Sequence, residues 1–177
     1  MTNSYLIAGF GGQGVLFAGK FLVYQGMLAD KQVSWLPSYG PEMRGGTANC
    51  SVIVSDEPVG SPIVDEPNVL MVMNLPSLDK YENAVQSGGI IVLDSTLIER
   101  KVQREDVKVA YIPATKLAAE NNMPTLANMI LVGRILKETG NFDEEAIKAA
   151  LGKVISAKRP EMFDINLKAL QIGRDYE

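Results

Sequence analysis

The chain has no histidine and only one cysteine, Cys50. Those two absences remove most of the usual catalytic equipment. A Ser-His-Asp or Cys-His mechanism needs an imidazole. Zinc needs a set of histidines or thiolates, and an iron–sulfur cluster needs several thiolates. The lone cysteine excludes an internal disulfide, which fits a reducing compartment. A P-loop lysine pattern is also missing. Lysine and arginine form no cluster, and the net charge is −4. Both facts argue against nucleic acid and against an anionic membrane as partners. No apolar run reaches the length of a transmembrane span, and the first residues lack the basic segment of a secretory signal. A cytoplasmic location is expected. At 177 residues the chain fits a single domain, 1–177, with room for a sizeable core.

What is present begins near the start. The apolar run Tyr5-Leu6-Ile7-Ala8 meets Gly9-Phe10-Gly11-Gly12-Gln13-Gly14 and opens into a long apolar segment, Val15 to Leu28. A strand turning into a helix has this pattern. Gly9, Gly11 and Gly14 carry the G-x-G-x-x-G spacing, which permits a tight turn and close approach to bare backbone N–H groups. The helix N-terminus behind them favours an anion. Gly11, Gly12, Gln13 and Gly14 are therefore candidates to contact an anion, coenzyme A or a partner. A dinucleotide site would place an acid at the end of the second strand. Here Val33-Ser34-Trp35-Leu36 runs into Pro37-Ser38, and the nearest acid, Asp30, precedes it. Nicotinamide and flavin binding are thus unsupported. A turn that only packs helix against sheet is the competing account.

The helix Val15–Leu28 is apolar nearly all round, with only Lys20 and Gln25 strongly polar. A surface helix should carry one apolar stripe. Cover by another chain, or by the chain's own domain, would explain it. A proline- and glycine-rich loop from Pro37 to Gly46 then leads into a strand, Thr47 to Val54. The loop is too short for a helical crossover, so a mixed sheet is expected. A long loop, Ser55 to Asn68, precedes a doubly buried strand at Val69–Met73. Asn74 or Ser77 can cap a helix to about Gln86, and Gly88-Gly89 ends it. Strands follow at Ile90–Leu93 and Val107–Ile112. The remainder is helical: Ala114–Asn121, a helix from Pro124 through Met129 to Thr139, Glu144–Leu151 capped by Asp143, and a last one from Pro160 or Asp164 to about Gly173. The order implies a three-layer α/β/α domain with a mostly parallel, mixed sheet and a Rossmann-like first βα turn.

Two stretches go further than pattern. Gly9-Phe10-Gly11-Gly12-Gln13-Gly14-Val15 and Ser38-Tyr39-Gly40-Pro41-Glu42-Met43-Arg44-Gly45-Gly46-Thr47-Ala48-Asn49-Cys50 resemble the gamma subunit of a 2-oxoacid:ferredoxin oxidoreductase. Gly60-Ser61-Pro62, Met73-Asn74, Pro76 to Lys80, Ala127-Asn128-Met129 and Leu131-Val132-Gly133 extend the resemblance over nearly the whole chain. Its specific part is the Tyr-Gly-Pro-Glu loop. The resemblance implies an enzyme that converts a 2-oxoacid, coenzyme A and oxidised ferredoxin to acyl-coenzyme A, carbon dioxide and reduced ferredoxin. It implies thiamine diphosphate, Mg and iron–sulfur clusters in companion alpha, beta and delta subunits, with ferredoxin contacted only indirectly. Within the family the loop looks closest to subunits acting on 2-oxoglutarate or branched 2-oxoacids.

The residues agree with that division of labour, since neither cluster cysteines nor a Gly-Asp-Gly…Asn-Asn metal–diphosphate motif occurs. No catalytic residue and no metal ligand is assigned to this chain, which is not expected to be catalytic alone. Tyr39, Gly40, Pro41, Glu42 and Arg44 are the candidate interface residues. Glu42 can reach a cofactor or coenzyme A group, and Arg44 a phosphate or carboxylate. The competing account is an internal Glu42–Arg44 or Arg–backbone contact that fixes the loop. Cys50, Met71 and Met73 read as core. Two other functions stay open: a stand-alone nucleotide- or coenzyme A-binding enzyme using the Gly9–Gly14 loop, and an assembly module that binds no small molecule. As a subunit expressed alone, the chain would form homo-oligomers or aggregates through exposed apolar surface.

Overall fold

The computed structural model describes residues 1–38 and 47–177. Its strands are β1 (Thr2–Phe10), β2 (Gln32–Ser38), β3 (Thr47–Ser55), β4 (Val69–Val72), β5 (Ile90–Asp94) and β6 (Lys108–Ile112). They form one sheet in the order β2-β3-β1-β4-β5-β6. Strand β3 is antiparallel to both neighbours, while β1, β4, β5 and β6 pair in parallel. The expected mixed, mostly parallel sheet is therefore present. Its cause is chain length: the segment joining β2 to β3 cannot hold a crossover helix, so β3 must run back. Strands β4 and β5, buried on both faces, are the continuous apolar runs that the sequence displays. Edge strand β2 tolerates Pro37 because one side of it makes no ladder.

The helices are α1 (Val15–Leu28), α2 (Leu75–Tyr81), α3 (Ala114–Glu120), α4 (Ala127–Glu138), α5 (Glu144–Val154) and α6 (Glu161–Asp175). Two N-caps fall where the sequence suggests. Asn74 accepts from the Ser77 N–H at 2.9 Å, and Asp143 accepts from the Ala146 N–H at 2.8 Å. Helix α2 is shorter than expected, because after Tyr81 the chain tightens into a 3-10 turn, Glu82–Ala84. Helix α4 also starts later than expected, at Ala127. Pro124 lies in the preceding turn, where the Met123 N–H closes α3 on the Ala118 carbonyl and Leu126 N–H bonds to Met123.

The layers are unequal. Helices α1 and α3 to α6 cover one face over a large core that includes Ile7, Phe21, Cys50, Met71, Met73, Ile130 and Leu170. The other face holds a smaller core of Leu6, Leu70, Val72, Leu78, Ile91 and Leu93. Its cover is α2, the 3-10 turn and an irregular segment, 95–107. Glu82 holds that segment down, accepting from Arg100 Nη2 at 2.7 Å and from the Gln103 N–H. Arg104 donates to the Glu82 and Val85 carbonyls at 3.2 and 3.0 Å.

Helix α1 lies between β1, β2 and β3 on one side and α5 and α4 on the other. Intramolecular cover therefore accounts for its apolar character, and only Lys20, Met27 and Leu28 are exposed. Helices α4 and α6 touch backbone to backbone. A side chain at Gly133 would strike the Leu170 carbonyl, and one at Gly173 the Ile130 carbonyl. Among the described residues no helix is long and apolar enough to cross a membrane.

Candidate functional site

The glycine turn forms as the sequence implies and is held by its own glutamine. Gln13 Oε1 accepts from the Phe10 N–H at 2.6 Å, and its N–H donates to the Phe10 carbonyl at 3.2 Å. Its Nε2 reaches across to the Met73 carbonyl at 3.1 Å, tying the end of β1 to the end of β4. Gly12 and Gly14 have φ values of 90° and 77°, a region that side-chain-bearing residues rarely enter. The first intrahelical bond of α1 runs from Ala18 N–H to the Gly14 carbonyl at 3.0 Å. The N–H groups of Val15, Leu16 and Phe17 thus form the open first turn of a 14-residue helix.

This turn stands at a topological switch point. From β1 the chain leaves through α1 over one face towards β2; from β4 it leaves through α2 over the other face towards β5. A crevice outside the strand ends at such a point is the general ligand position in open α/β sheets. Beside that point, on the β3 side of β1, lies a cleft of about 300 Å³. Gly11, Gly12 and Gly14 form its floor, with Phe10, Leu16, Phe17 and Ala48 as walls. Gln13 braces the loop from behind and is absent from that lining.

The second motif ends at the same edge. Register pairs Phe10 with Thr47 and Ser38 with Asn49, so both anchors of the 39–46 segment stand beside the glycine turn. Tyr39, Gly40, Pro41, Glu42 and Arg44 lie outside the described residues.

Three residues not singled out as site residues flank the turn. Asn128, 2% exposed, donates from Nδ2 to the Gly14 carbonyl at 3.0 Å. Its Oδ1 has no hydrogen-bond partner among the described residues, nor do Asn74 Nδ2 and Ser77 Oγ. Buried polar atoms of this kind are few in folded proteins and are commonly met by water, a ligand or a partner. Their signal in the sequence is a polar residue set inside an apolar run, Met73-Asn74-Leu75 and Ala127-Asn128-Met129.

The donor set does not fit a metal centre. Among the described residues no three of His, Cys, Asp and Glu gather to hold an ion. Cys50 is fully buried, and burial pushes its thiol up to about 12. Iron–sulfur ligation needs accessible thiolates, and this chain offers none.

A protein-family model described as pyruvate ferredoxin/flavodoxin oxidoreductase matches residues 4–176. The ketoisovalerate oxidoreductase subunit VorA of Methanothermobacter marburgensis is 41% identical over 172 residues, which are 96% of this chain and 35% of VorA. This chain thus spans about a third of that relative's length. The 2-oxoglutarate synthase subunit KorC of Methanocaldococcus jannaschii is 34% identical over 154 residues, 85% of this chain and 82% of KorC. Among solved structures, the gamma subunit of a keto/oxoacid ferredoxin oxidoreductase from Geobacter sulfurreducens PCA has a TM-score of 0.80 at 27% identity, covering 97% of this chain and 95% of its own. A 2-oxoglutarate:ferredoxin oxidoreductase from Magnetococcus marinus, with 2-oxoglutarate, coenzyme A and succinyl-CoA bound, has a TM-score of 0.86 at 25% identity over 98% of this chain and 30% of its own. With the family model running from one end of the fold to the other, the chain belongs to the pyruvate ferredoxin/flavodoxin oxidoreductase family.

Proposed function

We propose that the chain is the gamma subunit of a cytoplasmic 2-oxoacid:ferredoxin oxidoreductase, acting with alpha, beta and delta partners. The whole enzyme converts a 2-oxoacid, coenzyme A and oxidised ferredoxin to acyl-coenzyme A, carbon dioxide and reduced ferredoxin. A 2-oxoglutarate or branched 2-oxoacid is the substrate class, in line with the names of the two relatives. The end-to-end match to a separate gamma subunit carries this reading. Thiamine diphosphate, Mg and the iron–sulfur clusters are assigned to the partners, an assignment that the single cysteine of this chain supports for the clusters.

In this reading the glycine turn, through Gly11, Gly12 and Gly14, faces coenzyme A or the partner surface beside it. Gln13 sets the shape of the turn. Bare N–H groups suit a phosphate or carbonyl oxygen, and the walls of Phe10, Leu16 and Phe17 suit an apolar chain. Tyr39, Gly40, Pro41, Glu42 and Arg44 contribute the rest of that surface from the adjoining segment.

The test is a mild affinity pull-down of this chain from its native anaerobic extract, with mass spectrometry and an optical spectrum of the eluate. A brown eluate with thiamine- and cluster-bearing partners is expected. A colourless eluate of this chain alone, retaining a nucleotide, would overturn the subunit reading and favour a stand-alone nucleotide-binding enzyme.

A further inference from the structure

A second, larger cleft lies at the opposite end of the sheet from the glycine turn. It has a volume of about 410 Å³, within the range of about 300–1,000 Å³ usual for small-molecule pockets. The start of β1, the last turns of α1 and the connection from α4 to α5 enclose it. Asn3, Tyr5, Leu22, Gln25, Asn141 and Phe142 are its principal lining.

The buried polar part of this lining is neutral. Asn3 and Gln25 are nearly buried, and Tyr5 is 3% exposed. The Tyr5 hydroxyl faces Asn3, Thr139 and Asn141, and burial pushes it up to about 12, so it remains an O–H group at any physiological pH. Gln25 is the one polar residue buried on an otherwise apolar helix. Its Nε2 donates to the Asn141 carbonyl at 2.9 Å, which fixes the amide at the cleft wall. The charges at the rim are already engaged. Asp143 caps α5, and Lys31 and the Met1 ammonium share Asp56. Leu22, Val54 and Phe142 supply apolar walls.

Buried neutral amides beside apolar walls, with the charges confined to the rim and paired or capping there, favour a flat and uncharged molecule with ring nitrogens or carbonyls on its edge. Asparagine and glutamine read such an edge by pairing a donor and an acceptor, as they do with adenine. We propose that this cleft binds a neutral heteroaromatic ring of the nucleobase class, recognised by the side-chain amides of Asn3, Gln25 and Asn141. The site is separate from the glycine turn, and its occupancy does not depend on the oxidoreductase reading.

The experiment titrates the isotope-labelled full chain with adenosine, and separately with cytidine, while recording backbone and side-chain amide resonances. Shifts centred on the amides of Asn3, Gln25 and Asn141 are expected with at least one probe. Gln25→Leu should weaken that binding about tenfold or more, the scale of one lost amide–base pairing. Ala146→Phe, which projects into the cleft from α5, should abolish it, and serves if Gln25→Leu does not fold. No shift at millimolar probe would overturn the proposal. So would shifts confined to the glycine turn, or binding unchanged in a folded variant.

Discussion

Gly12 and Gly14 share a left-handed backbone but differ in what surrounds them. Gly12 has open space where a side chain would go, whereas at Gly14 a methyl group would strike the Asn128 amide. That amide cannot swing away, because it is buried and bonded to the Gly14 carbonyl. Gly12→Ala should therefore lose only the conformational term, about 1–2 kcal/mol. Gly14→Ala should lose that and an overpacking term of about 1–3 kcal/mol more. Denaturant unfolding of the two variants checks the order, and equal losses would show that Asn128 yields. Cys50 makes a different prediction at the same scale. It is fully buried and its thiol is pushed up to about 12 by that burial, with Trp35 and Gly19 acting weakly the other way. A thiol reagent at pH 8 should react only as fast as the chain opens, and rapidly in denaturant. Fast stoichiometric labelling of the native chain would contradict this.

At the scale of elements, Glu82 fastens the thin face of the domain. Burial alone would raise its carboxyl, but the Gln103 N–H and the Arg100 guanidinium outweigh burial and hold it below the ordinary value of 4.5. A carboxyl lowered on folding stabilises the native state above its unfolded pKa, and that contribution is lost as pH falls through the native value. The wild type should thus lose stability below about pH 4.5 more steeply than Glu82→Gln. At pH 7 the variant leaves half-buried Arg100 with Asp79 as its remaining carboxylate partner, and the loss should be about 3 kcal/mol, the lower end for a broken buried pair. Thermal unfolding from pH 3 to pH 7 measures both. The same region shows where the sequence was readable. Strands β4 and β5 announce themselves as apolar runs, α1 matches its apolar segment, and α5 starts behind its Asp143 cap but runs through Gly152 to Val154, past the expected end at Leu151. The 95–107 segment has no periodicity, since its order comes from long-range bonds: Arg100 to the Glu82 carboxylate, and Arg104 to the Glu82 and Val85 carbonyls. The delayed start of α4 was hidden for a related reason. Pro124 suits a first helical turn by its own geometry, but the Ala118–Met123 closure of α3 claims that stretch. At the site, the glycine turn was legible as local backbone chemistry. Its bracing by Gln13 on Met73 and by Asn128 was not, because those contacts span 60 and 114 residues.

On the scale of the whole molecule, the features that the gamma-subunit reading uses gather at one end of the sheet. The glycine turn, the anchors of the 39–46 segment, and the buried Asn74, Ser77 and Asn128 all stand there. Large apolar side chains are exposed at the ends of three parallel strands: Phe10, the last residue of β1, at 39%, Leu75 after β4 at 39% and Leu97 after β5 at 45%. Met27 and Leu28, at the tail of α1, are exposed at the opposite end. If the chain docks as a gamma subunit with its glycine turn inward, the two ends must differ in their sensitivity to charge. Leu75 is the first residue of α2, where an acid favours the helix dipole, so Leu75→Asp should leave the fold intact. It should nevertheless weaken association with the thiamine-bearing partner by about 2 kcal/mol or more, the scale of a central apolar anchor. Met27→Asp, at the far end, should leave association unchanged. Co-purification of the two variants, alongside their melting temperatures, decides the matter. Loss of partner with Met27→Asp and not with Leu75→Asp would place the docking face on the side of α1's tail and leave the glycine turn turned to solvent.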